Sequence, residues 1–268
     1  MDLDCGELQE AWPRTQACFA AAMAAAGTPA RPLRIPFEGR TLHASLLLPA
    51  RGAAPFPTLV VPSGYDSCVE EMATMAGLPA LARGYAVLAV DGPGQGKTLW
   101  DPATRAFMRP DYETVMAAVL DAIVPVPEVD ETRIAAVGCS FAGYLVPRAA
   151  AYEPRLAAIV ADPGQYDLGE AIRARLPAPL SATIETGGPI AVKAFQALLA
   201  VPDAAALLRP RMAAHGTASV QDYCRQILAF HGRDAAPLVR CPALVCDNEM
   251  DPVSTGQGRR LADAMTGA

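Results

Sequence analysis

The sequence predicts an α/β architecture in which a mostly parallel sheet carries helices on both faces, with a helical insertion over one edge. Three observations predict it. Short apolar runs at 58–61, 85–90, 132–137 and 156–161 show no polar alternation and are separated by helical patterns. A glycine-rich turn at 138–143 joins one of these strands directly to a helix. The stretch from Pro163 to about Pro237 breaks the rhythm and offers no convincing strand.

In chain order, residues 5–26 have a helical pattern interrupted by Pro13 and stopped at Gly27-Thr28-Pro29. Strands at 34–37 and 41–48 bracket a Glu38-Gly39-Arg40 turn, the spacing of a β-hairpin. The alternation then runs as strand 58–61, helix 69–83, strand 85–90, helix 112–124, strand 132–137, helix 141–152 and strand 156–161. Helices divided by Pro177, Pro179, Gly187-Gly188-Pro189, Pro202 and Pro210 follow, before a last strand at 243–246 and a helix at 255–265. The expected organisation is a helical lead-in over 1–30, a core over 31–162 and 238–268, and a helical lid insertion over 163–237.

Composition bounds the function. A chain of 268 residues with 52% hydrophobic and 19% charged residues suits a large buried core and excludes intrinsic disorder. Nothing approaches the roughly 18–20 apolar residues of a membrane helix. A net charge of −6 and a pI near 5.1 argue against nucleic acid as partner. The seven cysteines are scattered, with no C-x-x-C pair and no histidine cluster, so neither a disulfide framework, a metal site nor a cofactor is expected. The acidic start (Asp2, Asp4, Glu7) lacks the basic and apolar regions of a secretory signal, which points to a reduced, cytoplasmic protein. The expected partner is a small-molecule substrate.

The chemistry concentrates at Gly138-Cys139-Ser140-Phe141-Ala142-Gly143. A nucleophilic serine on a tight strand-to-helix turn needs small residues at −2 and +2, and here they are Gly138 and Ala142, so G-x-S-x-G is met as G-x-S-x-A with a glycine one place later. The blander reading is an ordinary glycine-rich turn. In the order serine, acid, histidine, the acid follows a later strand, and Asp251, ahead of Pro252-Val253, holds the favoured position, with Asp247 as a loop-capping residue. An oxyanion hole needs two backbone N–H groups. Phe141, after the nucleophile, supplies one, and Tyr65, in the loop after the strand at 58–61, supplies the other.

Gly64-Tyr65-Asp66-Ser67 with Glu70-Glu71, Arg83-Gly84-Tyr85 leading to Asp91-Gly92-Pro93-Gly94-Gln95-Gly96, and Ser140-Phe141-Ala142-Gly143-Tyr144 with Pro147-Arg148 together resemble one group of α/β-hydrolases. The group holds 2,6-dihydroxypseudooxynicotine hydrolase, the fermentation-respiration switch protein and fungal pigment chain-shortening hydrolases. The resemblance covers about residues 33–260. It implies the α/β-hydrolase fold, a helical lid, and hydrolysis of esters or of C–C bonds beside ketones through a serine triad.

Histidine departs from that pattern. His43, His215 and His231 all precede Asp251, whereas the resemblance places the base after one more strand beyond the acid. The expectation is that this strand and its histidine lie beyond Ala268, leaving the strand at 243–246 with an unpaired edge that favours homo-oligomers and the chain with weak esterase activity. The alternative base is His231, acting from the lid side. A second class of function is a catalytically impaired binding or regulatory module on the same scaffold.

Other features compete less well. Residues 91–98 follow a strand and end in Gly-Lys-Thr, but only three residues stand between Gly92 and Gly96, and Asp91 fills the place of the first glycine of a phosphate loop. Trp100-Asp101-Pro102 also argues against a helix beginning at once. Cys139 should point away from the site, and Asp162, Asp167 and Glu170 are expected as surface charges.

Overall fold

A computed structural model describes residues 3–251 and 254–267, so Asp2 and the Pro252-Val253 pair lie outside the described residues. The lead-in helix α1 (Gly6–Ala25) runs through Pro13 without a break. A proline removes a single helical hydrogen bond, and α1 is anchored on both sides of it. Before it, the Gln9 side chain donates to the Trp100 carbonyl (3.1 Å); beyond it, Phe19 and Met23 pack on the core.

Strands β1 (Arg31–Phe37) and β2 (Arg40–Leu47) form the predicted hairpin, with a turn of two residues rather than three. Glu38 and Gly39 both have positive φ (47° and 75°), the conformation whose twist matches that of paired strands. After β3 (Phe56–Pro62) the predicted helix at 69–83 forms as α2 (Val69–Met72), a π turn over Ala73–Gly77, and α3 (Leu78–Leu81). Strand β4 (Ala86–Asp91) follows. A short helix, α4 (Gly96–Trp100), does begin directly after the glycine-rich loop, contrary to expectation. Next come α5 (Tyr112–Ile123), β5 (Val129–Cys139), α6 (Ala142–Ala150) and β6 (Leu156–Asp162).

The insertion is helical: α7 (Leu168–Arg175), α8 (Ala178–Ser181), α9 (Pro189–Ala197), α10 (Pro202–Ala214) and α11 (Val220–Ile227). Pro202 opens α10, but Pro210 lies inside it and divides nothing. The chain returns through β7 (Ala243–Val245) and α12 (Gln257–Ala264).

The sheet order is β1-β2-β4-β3-β5-β6-β7, with β1 and β2 antiparallel and the other five strands parallel. Strand β4 explains why polar alternation is missing. Ala86, Leu88 and Val90 enter the main core cluster, while Val87 and Ala89 enter a second one on the opposite face. Leaving β3 the chain crosses to one side, and leaving β5 to the other, so the loops after these neighbouring strands meet at a topological switch point. That crevice is where such sheets bind ligands. At the far edge β7 pairs with β6, and among the described residues no strand covers its other side; Leu244 there is exposed. No single helix among the described residues is long and apolar enough to cross a membrane.

Candidate active site

Ser140 stands at the end of β5 with φ of 57°, a left-handed conformation shared, among the described non-glycine residues, by Glu38 in the hairpin turn. This costs of order 1 kcal/mol or more, and the surroundings enforce it. The Ser140 amide donates to the Asp162 carbonyl (2.8 Å), and its carbonyl accepts from Gly143 (2.9 Å). A Cβ on Gly138 would lie 2.0 Å from the Ala142 carbonyl oxygen, and one on Gly143 would lie 1.9 Å from the Pro163 carbonyl oxygen. The positions that must lack a side chain are therefore −2 and +3. Ala142 at +2 is buried with its methyl accommodated, which accounts for the departure from G-x-S-x-G. Held this way, the Ser140 side chain is exposed at the sheet's carboxyl edge.

The loop after β3 passes close over this turn. A Cβ on Gly64 would meet the Cys139 carbonyl oxygen at 3.2 Å and the Ser140 Cβ at 3.4 Å, so the backbone entering Tyr65 lies against the serine. Phe141 caps the N-terminus of α6, where N–H groups lack helical partners and the helix dipole favours negative charge. Neither the Tyr65 nor the Phe141 amide is engaged by a hydrogen bond among the described residues. The Tyr65 ring rests edge-on against Phe141, with centroids 4.5 Å apart.

Asp251 shares with Ser140 the wall of a cavity of about 210 Å³, and its carboxylate accepts from the Ser254 hydroxyl. Asp247 accepts instead from the amides of Gly256 (2.9 Å) and Arg259 (3.3 Å), holding the start of α12. The rest of the cavity wall comes mostly from the insertion and is mixed: Leu168 and Ile172 of α7, Leu208 of α10 and Ile227 of α11 stand with the guanidinium groups of Arg175 and Arg211.

The three histidines are placed apart. His43 is a buried residue of β2 whose Nε2 meets the Thr104 hydroxyl (3.2 Å), and burial pushes its pKa down to about 4. His231 forms an isolated backbone bridge with Asp167, keeps Nδ1 buried without a partner, and does not line the Ser140 cavity. His215, at the C-terminal cap of α10, lies behind Tyr65, accepts a hydrogen bond from the Tyr65 hydroxyl, and is held neutral by burial, its pKa lowered to about 4. Among the described residues, then, no histidine is positioned to take a proton from Ser140. The contact of His215 with Tyr65 has no local sequence signal, since it joins residues 150 positions apart.

The neighbouring acids and the 91–98 loop also find their roles. Glu170 is exposed and paired with Arg260, whose guanidinium keeps its carboxyl below the usual range. Asp167 is no surface charge: it is buried, caps α7 through the Glu170 amide (2.9 Å) and pairs with Arg233 (2.5 Å). Asp162 ends β6 beside the site, and Cys139 packs toward the second core cluster. Asp91 is fully buried and accepts from the Ser63 hydroxyl (2.7 Å) and the amides of Val69 (2.9 Å) and Lys97 (2.8 Å). Burial raises its pKa to about 7 against the pull of these donors. A Cβ on Gly96 would lie 2.1 Å from its carboxylate, and Lys97 Nζ is turned to Gln16 (3.2 Å). The protein's own carboxylate fills the place a phosphate would take, which overturns the nucleotide-binding alternative.

Residues 38–226 match the family described as X-Pro dipeptidyl-peptidase (S15 family). The chain is 41% identical over 155 residues to hydrolase LUC6 of a Fusarium species, covering 55% of this chain and 36% of that protein. It is 39% identical over 143 residues to the 20-hydroxy-prefusarin hydrolase FUS2 of Gibberella moniliformis, covering 51% and 33%. The matches thus span about a third of the length of these curated relatives. Among solved structures, 2,6-dihydroxy-pseudo-oxynicotine hydrolase aligns with a TM-score of 0.73 at 21% identity, covering 98% of this chain and 64% of that one. The α/β hydrolase GrgF from a Penicillium species aligns with a TM-score of 0.64 at 19% identity, covering 88% and 86%. At these identities the structural likeness concerns the fold, and it is the α/β-hydrolase fold expected from the motifs.

Proposed function

Since the chain belongs to the family described as X-Pro dipeptidyl-peptidase (S15 family), a family of α/β-hydrolase enzymes, we propose that it is a serine hydrolase. Its substrate is a small organic molecule, cleaved at an ester or at a C–C bond beside a ketone. Ser140 Oγ gives its proton to a general base as it attacks the substrate carbonyl, the base then passes that proton to the leaving group, and the tetrahedral oxyanion is met by the Tyr65 and Phe141 amides. Collapse expels the leaving group and leaves an acyl-enzyme that water hydrolyses. Asp251 is the carboxylate that would orient this base, a place that none of the three histidines takes among the described residues. The insertion is the lid, because its side chains, Leu168, Ile172, Leu208 and Ile227 among them, form much of the wall of the cavity that holds the serine. The observation that carries this reading is the strained, exposed Ser140 beneath two unengaged amides. The seven free cysteines suit a reducing cytoplasm.

The binding-module reading keeps its place because no histidine stands beside Ser140 among the described residues. A fluorophosphonate probe with peptide mapping separates the two. The expected result is a single adduct on Ser140 of the wild type and none on Ser140→Ala. Equal labelling of both proteins, or an adduct mapped elsewhere, would overturn the assignment.

A further inference from the structure

We propose that the Ser140 cavity takes a substrate carrying a carboxylate, held on the lid side by the Arg211 guanidinium with Arg175 at the rim. This rests on reading the cavity as the substrate site, and it adds which chemical class the site accepts and which way round the molecule lies.

Two cavities share Ser140, and their charged walls are of opposite kinds. The lid-side cavity holds Arg175 of α7 and Arg211 of α10 together with Asp251. A second cavity, of about 420 Å³, is lined by Asp66, Glu71, Asp162 and Asp251, with no arginine, lysine or histidine among its described lining residues. Tyr65, Ser140 and Asp251 stand in both walls. An anion beside Ser140 is therefore repelled by one cavity and attracted by the other, where the apolar surroundings of Leu168, Leu208 and Ile227 strengthen the attraction.

Arg211 is fixed in a position to receive it. Its Nη1 donates to the Leu207 carbonyl (3.0 Å), its Nη2 donates to Asp66 (3.2 Å), and its guanidinium lies 4.9 Å over the Tyr65 ring. Those bonds use two of the five N–H hydrogens that a guanidinium carries, so donors remain for a ligand carboxylate. Asp66 is 61% exposed, and an ion pair open to water is weak. A carboxylate inside the cavity meets the same cation with less water about it. Arg175 is exposed where it lines the cavity, so it draws the anion in from the rim. The wall also has a bond left open: Gln165, 5% exposed, keeps its Oε1 buried without a partner among the described residues. A carboxamide turned about its last bond presents either oxygen or N–H, so it completes the ligand that the charges select. The reacting carbonyl then meets Ser140, and the carboxylate points to the lid.

The probes are 3-(4-acetylphenyl)propanoate and its neutral primary amide, with dissociation constants measured by titration calorimetry. On the wild type at low ionic strength the acid is expected to bind at least about tenfold more tightly than the amide, and about 1 M salt should shrink that ratio. Arg211→Gln should bring the ratio to within about threefold of unity, and Arg175→Gln should lower it less. Asp66→Asn removes the competitor for Arg211 and should raise the ratio, a change that loss of packing would not produce. Circular dichroism verifies that each variant is folded, and because Asp66 is exposed its variant tests the proposal even where Arg211→Gln fails to fold. The acid should also slow fluorophosphonate labelling of Ser140. A wild-type ratio at or below one, no binding of either probe, a ratio retained in folded Arg211→Gln or unmoved in Asp66→Asn, or labelling that the bound acid leaves unchanged would overturn the proposal. Because the first readout is binding, repeating it on Ser140→Ala separates the two readings. A retained preference beside failed serine labelling removes only the nucleophile, and a lost preference beside successful labelling removes only the anion selectivity.

Discussion

Gly143→Ala tests whether the second glycine of the turn is required by the elbow or by helix chemistry. Gly143 is the second residue of α6, where propensity alone favours alanine by up to about 1 kcal/mol. Against this, the new methyl would sit 1.9 Å from the Pro163 carbonyl oxygen, more than an ångström inside normal contact, and both parties are backbone. Relief requires the start of α6 to move from the loop after β6, which strains the Ser140 to Asp162 hydrogen bond (2.8 Å) and that from the Gln165 amide to Gly143 (3.3 Å). Overpacking of this kind costs about 3 kcal/mol, sometimes more, so the clash outweighs the propensity gain and the net loss is about 2 kcal/mol or greater. For a chain of this size that lowers Tm by about 4–8 °C. Ala142→Gly, next door, gives up only helix propensity and one buried methyl, about 1–2 kcal/mol, and leaves the serine in place. Thermal unfolding by circular dichroism, combined with fluorophosphonate labelling, distinguishes the pair: Gly143→Ala should lose both stability and labelling, whereas Ala142→Gly keeps its labelling. A Gly143→Ala protein that melts with the wild type and labels at the same rate would refute the steric account of the elbow.

Two further outcomes are expected. His215 has its pKa lowered from 6.5 to about 4 by burial, so the folded state takes up its proton later than the unfolded one. Its contribution is therefore full above pH 6.5 and is lost toward pH 4, by about 3 kcal/mol; guanidinium unfolding of His215→Gln should show a correspondingly shallower fall over that window, and parallel curves would refute the buried neutral ring. Mg-ATP at millimolar concentration should leave Tm unchanged, because Asp91 already occupies the 91–98 cradle, whereas saturation at 100 times Kd would add about 2.7 kcal/mol. A saturable shift abolished by Lys97→Ala would contradict this.

Much of the fold was legible because its signals are local. Strand β4 is apolar at every interior position since both its faces are covered, and the hairpin announces itself through Glu38-Gly39. The departures at the two prolines and at Asp167 share one cause. Pro13 and Pro210 were expected to break helices, yet each removes one backbone bond, and tertiary anchoring decides whether the helix continues. In α1 that anchoring comes partly from Trp100, whose ring meets Trp12 at 4.5 Å, a contact no window of sequence contains. Asp167 was misjudged for the same reason: only the fold brings Arg233 and the α7 amides around it.

The candidate site divides along the same line, and Tyr65 marks the division. Its amide could be put forward from sequence as an oxyanion-hole donor, because such a hole is built from backbone at a fixed offset after a strand. Its side chain could not, because the hydroxyl reaches His215 across 150 residues and rests on how the insertion docks. One residue thus ties the backbone beside Ser140 to the helices that shape the cavity, with the Arg211 guanidinium lying 4.9 Å over its ring from α10 and the Phe141 ring meeting it edge-on at 4.5 Å. Any movement of α10 that carries His215 away must therefore pull on the loop whose amide faces Ser140. The backbone around Ser140 and the wall of its cavity are joined through that side chain, and this is why the shape of the cavity could not be read from the motif that singled out Ser140.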